Sequence, residues 1–305
     1  MNDSPRFRRP LVALSLTGPD RDLLHYAAVA FGPDPSLAVR FLHVLPPVAG
    51  GVAGEGKLEG VRNTVRAALE EHAPALVRNA ILDVREDAAR VDGVLRAAAE
   101  HDSDVVMLGH RRARSGRRSL ARRLALMAPS SVWLVPEGSS ATLQRILVPT
   151  DFSASSADSL RVAAALAALH GLGHLTAVHV RFDPALSQYA EHSAEFRTVE
   201  VHDFEQFLAG VDTGSVRVDY AFEDSPMPAH ALLRAAERLH ADLIVMHTRG
   251  RSPAAAVLLG SVTSEVMAQS HLPVLAAKHD GRQLSLRQVL LSGEFWGGRR
   301  APKAG

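Results

Sequence analysis

The sequence predicts an α/β protein built from two doubly wound, parallel five-stranded sheets. Three observations predict it. Short apolar runs alternate with stretches that place apolar residues at three- and four-residue spacing. The short runs are apolar throughout, as strands covered on both faces are. The whole pattern occurs twice. At 305 residues the chain also exceeds one ordinary core, so two domains are expected.

Taken in order, the elements of one copy recur in the other. Arg9 to Ser15 aligns with Arg145 to Asp151 at an offset of 136, and Phe41-Leu42-His43-Val44 aligns with Ala177-Val178-His179-Val180 at the same offset. Asp104 to Gly109 matches Asp242 to His247 at 138, and Ser131 to Val135 matches Pro273 to Ala277 at 142. The offset grows by four between Gly109 and Val132, so the first copy lacks four residues inside one loop. In the second copy the strands are expected at 145–149, 175–180, 216–222, 243–247 and 273–277, with helices over Ser156–Leu169 and Pro228–Leu239. Asp158 and Asp203 are read as lying in or before helical stretches, where carboxylates suit the positive end. The expected domains are 1–140 and 141–280, joined near Pro136-Glu137-Gly138-Ser139-Ser140, with a frayed tail at 281–305.

Composition narrows the function classes. The chain is 47% apolar and 22% charged, with formal net charge +1, so bulk charge argues for neither nucleic acid nor membrane. No apolar run approaches the roughly 20 residues that span a bilayer. Cysteine is absent, which excludes disulfides, thiolate catalysis and cysteine-based metal sites. Arg6 to Leu16 has the outline of a signal peptide, but its apolar part is short and it has an interior partner at Arg145–Asp151. It is read as a first strand, and the protein as cytoplasmic.

The segment from His247 to Ser261 carries the most chemistry. It follows the apolar run Leu243-Ile244-Val245-Met246 and leads into a helical stretch from Ser261. Gly250 and Gly260 enclose nine residues. Glycine lets backbone N–H groups approach an anion, and a helix N-terminus offers unpaired donors and a positive dipole end. This reads as a phosphate cradle. Read alone, Gly260-Ser261 is also an ordinary helix start.

Together with Val148-Pro149-Thr150-Asp151-Phe152-Ser153 and Asp242 to Met246, this stretch resembles the universal stress protein family, in its tandem two-domain form. The likeness covers 143–278 strongly and 9–136 weakly. The resemblance implies an adenine-nucleotide α-hydrolase-like fold with strand order 3-2-1-4-5 in each unit. It also implies ATP as the cofactor, with Mg2+ accompanying it, held through a motif of the form G-x2-G-x9-G-S/T. Gly250, Gly260 and Ser261 satisfy that motif, with Val262 next in the helix, and His247 stands where the first glycine should be. Its imidazole either crowds the phosphates or hydrogen-bonds them. Asp151 corresponds to the family's adenine-contacting aspartate, and a main-chain contact falls around Val180. Strands one and four lie side by side in this order, which brings Asp151 and the glycine loop to one crevice at the strands' carboxyl ends. Gly250, Gly260 and Ser261 are expected to present N–H groups and a hydroxyl to phosphate, with Arg249 and Arg251 at the rim.

The first copy departs from the motif. Ser15 replaces the aspartate, Arg112 stands at the second glycine, and Arg118-Ser119 replaces Gly-Ser. It is read as a pseudo-domain without a cradle. The seven arginines from Arg111 to Arg123 suggest an anion patch, but arginine is this chain's default cation and a solvated loop or interface is the better reading. His192 and His202 lie near Glu191, Glu195 and Glu200 without a defensible metal spacing. No nucleophile elbow, catalytic triad signature or lysine-bearing P-loop is present, so any ATP hydrolysis is expected to be slow. The expected function is nucleotide-dependent association with a protein partner or a second copy. The alternative is a protein–protein module that binds no nucleotide. The resemblance further implies that 132–135 pairs with 273–277 within one chain.

Overall fold

The computed structural model describes residues 7–47, 54–110, 120–128, 130–181, 193–248 and 260–278. Ten strands form one sheet in the order β3-β2-β1-β4-β5-β10-β9-β6-β7-β8. The first five are β1 (Pro10–Leu14), β2 (Val39–Leu45), β3 (Ala80–Glu86), β4 (Val105–His110) and β5 (Ser131–Pro136). The second five are β6 (Ile146–Thr150), β7 (His174–Arg181), β8 (Arg217–Asp224), β9 (Leu243–His247) and β10 (Val274–Ala277). Within each block every pairing is parallel. Counted within its block, each set of five has the order 3-2-1-4-5.

The two expected sheets are therefore fused. β10 runs antiparallel to β5, with Val274, Leu275 and Ala276 opposite Leu134, Trp133 and Val132. Every residue of β5 and β10 is buried. A last strand left unpaired would expose a row of main-chain donors and acceptors on an apolar edge. Pairing the two last strands removes both edges at once.

Eight helices cover the sheet among the described residues: α1 (Asp20–Phe31), α2 (Glu55–His72), α3 (Arg90–Glu100), α4 (Leu120–Met127), α5 (Ala154–Leu169), α6 (Ser193–Ala209), α7 (Pro228–Arg238) and α8 (Ser261–Gln269). The period-2 geometry of a strand divides their partners. On one face Val12, Val245 and Leu275 pack against α1, α2, α5 and α6. On the other Leu11, Ile244 and Ala276 pack against α3, α4, α7 and α8. Both expected helices of the second block are present. Asp158 lies in the early turns of α5 and pairs with Arg161 at 2.7 Å. Asp203 instead sits deep inside α6, away from its positive end, because that helix begins at Ser193.

Backbone details recur between the blocks. Asp104 accepts N–H bonds from Arg8 and Arg9 at 2.5 and 3.0 Å, and Asp242 accepts them from Gln144 and Arg145 at 2.9 and 3.0 Å. Arg9 Nε donates to the Asp102 carbonyl at 2.6 Å, as Arg145 Nε does to that of His240 at 2.8 Å. Asp102 and His240 both have left-handed backbone, with φ of 47° and 51°. Each clasp fixes where a first strand begins beside a fourth.

The junction of the blocks is aromatic and polar. Trp133 is fully buried, with the rings of Phe7, Tyr26 and Phe31 at 6.2, 5.8 and 6.0 Å. Close by, burial pushes the His170 imidazole below its ordinary pKa, opposed by the Ala30 carbonyl and the Asp242 charge. Burial likewise lowers that of His43.

Two stability measurements follow from this packing. A histidine whose folded-state pKa is depressed binds fewer protons native than unfolded, so stability is fully present above about pH 6.5 and declines as pH falls toward the native value. Urea midpoints measured from pH 7.5 to 5.5 are expected to fall less steeply in His170→Asn than in the wild type; equal slopes would remove His170 from the pH response. At Gly93, in α3, an added Cβ would lie 2.7 Å from Val44 Cγ1 and 3.0 Å from Asp87 Cβ. Gly93→Ala is therefore expected to destabilise by ~1–2 kcal/mol in denaturant titration, against the helix-propensity gain of about 1 kcal/mol that an open site would give.

Candidate functional site

In the second block the ladder between two neighbouring strands ends early, toward their carboxyl ends. β6 and β9 register as Ile146 with Leu243 and Leu147 with Ile244, and then the ladder stops. In the first block the equivalent β1–β4 register continues through Val12 with Met107 and Ala13 with Leu108. Ala13 is replaced by Pro149, which has no N–H to give a ladder. β6 stays paired on its other side, where Thr150 registers with His179 of β7. The residues that follow β6 and β9 thus leave the sheet side by side at its carboxyl end, with no ladder bond between the two strands after Leu147.

Asp151 follows β6 directly. Its Oδ1 accepts from the Ser153 N–H at 3.1 Å and the Ser153 hydroxyl at 2.5 Å. Ser153 is the N-cap of α5, and its Oγ accepts from the Ser156 N–H at 3.2 Å. Phe152, between them, has left-handed backbone with φ of 61°, and its N–H donates to Thr150 Oγ1 at 3.2 Å. The Phe152 ring stacks on His179, centroids 4.5 Å apart and 21° between planes. His179 Nδ1 bonds the Thr150 carbonyl at 2.8 Å. Asp151 is thus tied to the N-cap of the helix that follows it.

The end of β9 meets the start of α8. Gly260 is its N-cap and supplies no capping side chain. Ser261 and Val262 are its first residues, and their amides point along the positive end of the helix. The Gly260 N–H donates to the Thr248 carbonyl at 2.8 Å, and Thr263 Oγ1 donates to that of His247 at 2.9 Å. This corrects one expectation: the Gly260 amide is spent on closing the loop and is not presented to an anion. Arg249, Gly250 and Arg251 lie outside the described residues. Val180 sits in β7 in register with Glu223, its side chain on the face opposite His179. His247 shares the face of Leu243 and Val245, two and four residues before it, which is the face packed against α5. Its Nε2 is shielded from solvent.

The first block is bonded differently at the same place. Ser15 Oγ donates to Asp20 Oδ1 at 2.9 Å, and Asp20 Oδ2 accepts the Leu16 N–H at 2.5 Å. A Cβ at Gly109 would lie 3.8 Å from Pro19 Cβ and 3.9 Å from Leu23 Cβ. The Gly138 N–H donates to Asp22 at 2.8 Å, tying the start of α1 to the segment after β5. At the equivalent positions the second block has Ser155, Ser159 and His247. Sequence reading singled out Asp151 and the glycines but not Pro149, Phe152, His179 or Thr248. The recurrence of His43 and His179 was the available signal, and the Pro149-for-Ala13 exchange was another.

No helix among the described residues is long and apolar enough to cross a membrane. No group of three or more His, Asp or Glu among them forms a metal site. Comparison with known proteins agrees with the geometry. The family model described as "Universal stress protein family" matches residues 142–278. Universal stress protein MJ0531 of Methanocaldococcus jannaschii is 44% identical over 52 residues, which is 17% of this chain and 31% of that relative. The chain's match thus spans less than a third of that relative's length. A universal stress protein structure from Archaeoglobus fulgidus has a TM-score of 0.62 at 19% identity, covering 90% of this chain and 99% of its own. A universal stress protein solved in complex with cAMP is 26% identical, with 44% of this chain and 96% of that chain covered, at a TM-score of 0.33. Residues 142–278 thus match the universal stress protein family, and the chain shares the fold of universal stress protein structures.

Proposed function

We propose that this is a tandem universal stress protein, with domains at 1–140 and 141–280, whose second domain alone binds an adenine nucleotide. The juxtaposition at the carboxyl ends of β6 and β9 supports the reading, because a carboxylate follows one strand and a helix N-terminus follows the other. Asp151 accepts the exocyclic amine of adenine. The amides of Ser261 and Val262 and the Ser261 hydroxyl meet phosphate, helped by the α8 dipole. The bond from Gly260 to Thr248 holds the start of α8 against the end of β9, and Arg249 and Gly250 are proposed as further contacts to the triphosphate. His247, directed at α5, supports the end of β9 and leaves the phosphate region clear. Mg2+ accompanies ATP as the companion of its phosphates. Binding changes association with a protein partner or a second copy, since a ligand shifts a loop equilibrium only by preferring one state. The chemistry is binding; with no base, nucleophile or phosphate-binding lysine proposed here, turnover is slow at most.

A second reading has one observation in its favour. The Gly260 amide is already engaged by Thr248, which suits a loop that serves as a contact surface and takes no nucleotide.

Calorimetric titration separates the two readings. The wild type is expected to bind ATP saturably at or below about 1 mM, which corresponds to about 4 kcal/mol. Nucleotide should also be released on denaturing the purified protein. Gly260→Trp, which fills the entry to α8, should abolish binding. Asp151→Ala removes a hydrogen bond to a charged group, worth ~1.5–3 kcal/mol, and should weaken affinity roughly 10- to 100-fold. A wild type that does not bind at millimolar ATP would overturn the nucleotide reading and leave the contact-surface one.

A further inference from the structure

The end of β6 is a weak place to hang a ligand-reading carboxylate. After Leu147 it has lost β9 as a partner and is paired on the β7 side alone. Phe152, next to Asp151, sits at a φ of 61°, a region that disfavours residues with a Cβ by roughly 1–2 kcal/mol. Left to local preference, this turn would populate other conformations and Asp151 would point elsewhere.

We infer that His179 is the positioning residue that fixes Asp151, by gripping the residues on either side of it. His179 and Phe152 lie on the same face of the second block, and the imidazole makes two contacts with the turn. Its Nδ1 bonds the carbonyl of Thr150, the residue before Asp151, at 2.8 Å. Its ring stacks on Phe152, the residue after Asp151, at 4.5 Å. Because a carbonyl only accepts, the Nδ1 atom carries the proton. The Phe222 ring, 6.2 Å away and near-perpendicular, backs the imidazole from β8. Phe207 of α6 backs Phe152 at 5.6 Å. Thr150 and Phe152 are thereby held to a single ring, with Asp151 suspended between them.

The first block supplies an internal control. His43 Nδ1 bonds the Leu14 carbonyl at 3.0 Å in the same way, and Leu16 has the same left-handed backbone, with φ of 54°. There the intervening residue is Ser15, Leu16 gives no aromatic stack, and the β1–β4 ladder supports the strand end from its other side. His43 is thus one brace among several, whereas His179 replaces the support that β9 withdraws.

This inference rests on the nucleotide reading, so its test must fail separately from it. The readout is the ratio of affinities for ATP and inosine triphosphate, measured by calorimetry on the full chain. Inosine triphosphate carries a carbonyl where ATP carries the amine that Asp151 accepts. The wild type is expected to favour ATP by about 10-fold or more. His179→Phe keeps an aromatic ring for Phe152 but loses the bond to Thr150, and should bring the ratio to within about 2- to 3-fold of unity. His179→Asn, whose side-chain amide can still donate near the Nδ1 position, should restore part of the preference. His43→Phe should leave the ratio unchanged. A merely structural role would weaken both ligands together and leave their ratio where it was. Should His179→Phe fail to fold, Phe152→Leu, which removes the stack and keeps the Thr150 bond, is expected to lower the ratio. A wild type that prefers ATP, with His179→Phe preferring it equally, would overturn this inference alone. A wild type that binds neither nucleotide would overturn the nucleotide reading and this one together.

Discussion

The antiparallel meeting of β5 and β10 is the contact on which the rest of the molecule depends. Each of these strands is short, apolar and buried throughout, so neither is stable at an open edge. By pairing with each other they turn two half-sheets into one and move the edges out to β3 and β8. Those outer strands carry the charges that discourage further pairing, including Asp83 and Arg85 on one side and Arg217, Asp219 and Asp224 on the other. Trp133, opposite Leu275 in the junction, is enclosed by rings from the first block. The first block is therefore needed whatever it binds: it covers the last strand of the second.

Seen along this fused sheet, what recurs and what differs fall into separate categories. The recurring features answer demands of the backbone. They include the aspartate that caps the start of the first strand, the arginine that reaches the loop before the fourth strand, the histidine that holds the first strand's last carbonyl, and the left-handed residue that turns the chain into its helix. These satisfy and turn the main chain of the repeated fold whatever the site binds. The differing features all lie at the carboxyl ends of the first and fourth strands. Pro149 replaces Ala13, Asp151 replaces Ser15, and Ser155 with Ser159 replaces Pro19 with Leu23. In the first block Asp20 binds Ser15 and the Leu16 N–H, where in the second Asp151 is bound by Ser153.

The fold was largely legible because its determinants are local and repeated. Continuous apolar runs such as Leu243–Met246 can only be strands covered on both faces, and the fixed offsets revealed that two equivalent sets exist. The fusion of the two sheets was legible only through resemblance, since nothing local in Val132–Leu134 names its partner. Asp203 misled because a carboxylate near a helical pattern does not say where the helix starts; α6 begins at Ser193, so Asp203 ends up well inside it. At the site, sequence reading named candidate contact residues and missed the contacts that hold them in place. Asp151 and Gly260-Ser261 belong to a recognisable spacing. The Gly260 amide's engagement with Thr248, the Phe152–His179 stack and the short β6–β9 register are three-dimensional facts with no spacing of their own.

A crevice between two parallel strands has a built-in conflict. Opening it means giving up main-chain bonds at the strand ends where the recognising groups must be held most firmly, because ligands approach open α/β sheets from that side. The second block meets this conflict by dividing the labour. Pro149 ends the ladder toward β9, where space is needed, while the pairing of Thr150 with His179 persists toward β7, where support is needed. The left-handed turn at Phe152 then becomes tolerable because its ring is stacked and its N–H is bound by Thr150 Oγ1. On the other strand, Gly260 and Thr263 bond the carbonyls of Thr248 and His247, so α8 starts from the end of β9 itself. Each strand end is thus held by its own bonds, while no β6–β9 ladder bond follows Leu147. The first block keeps its ladder two residues longer and holds its strand end from both sides.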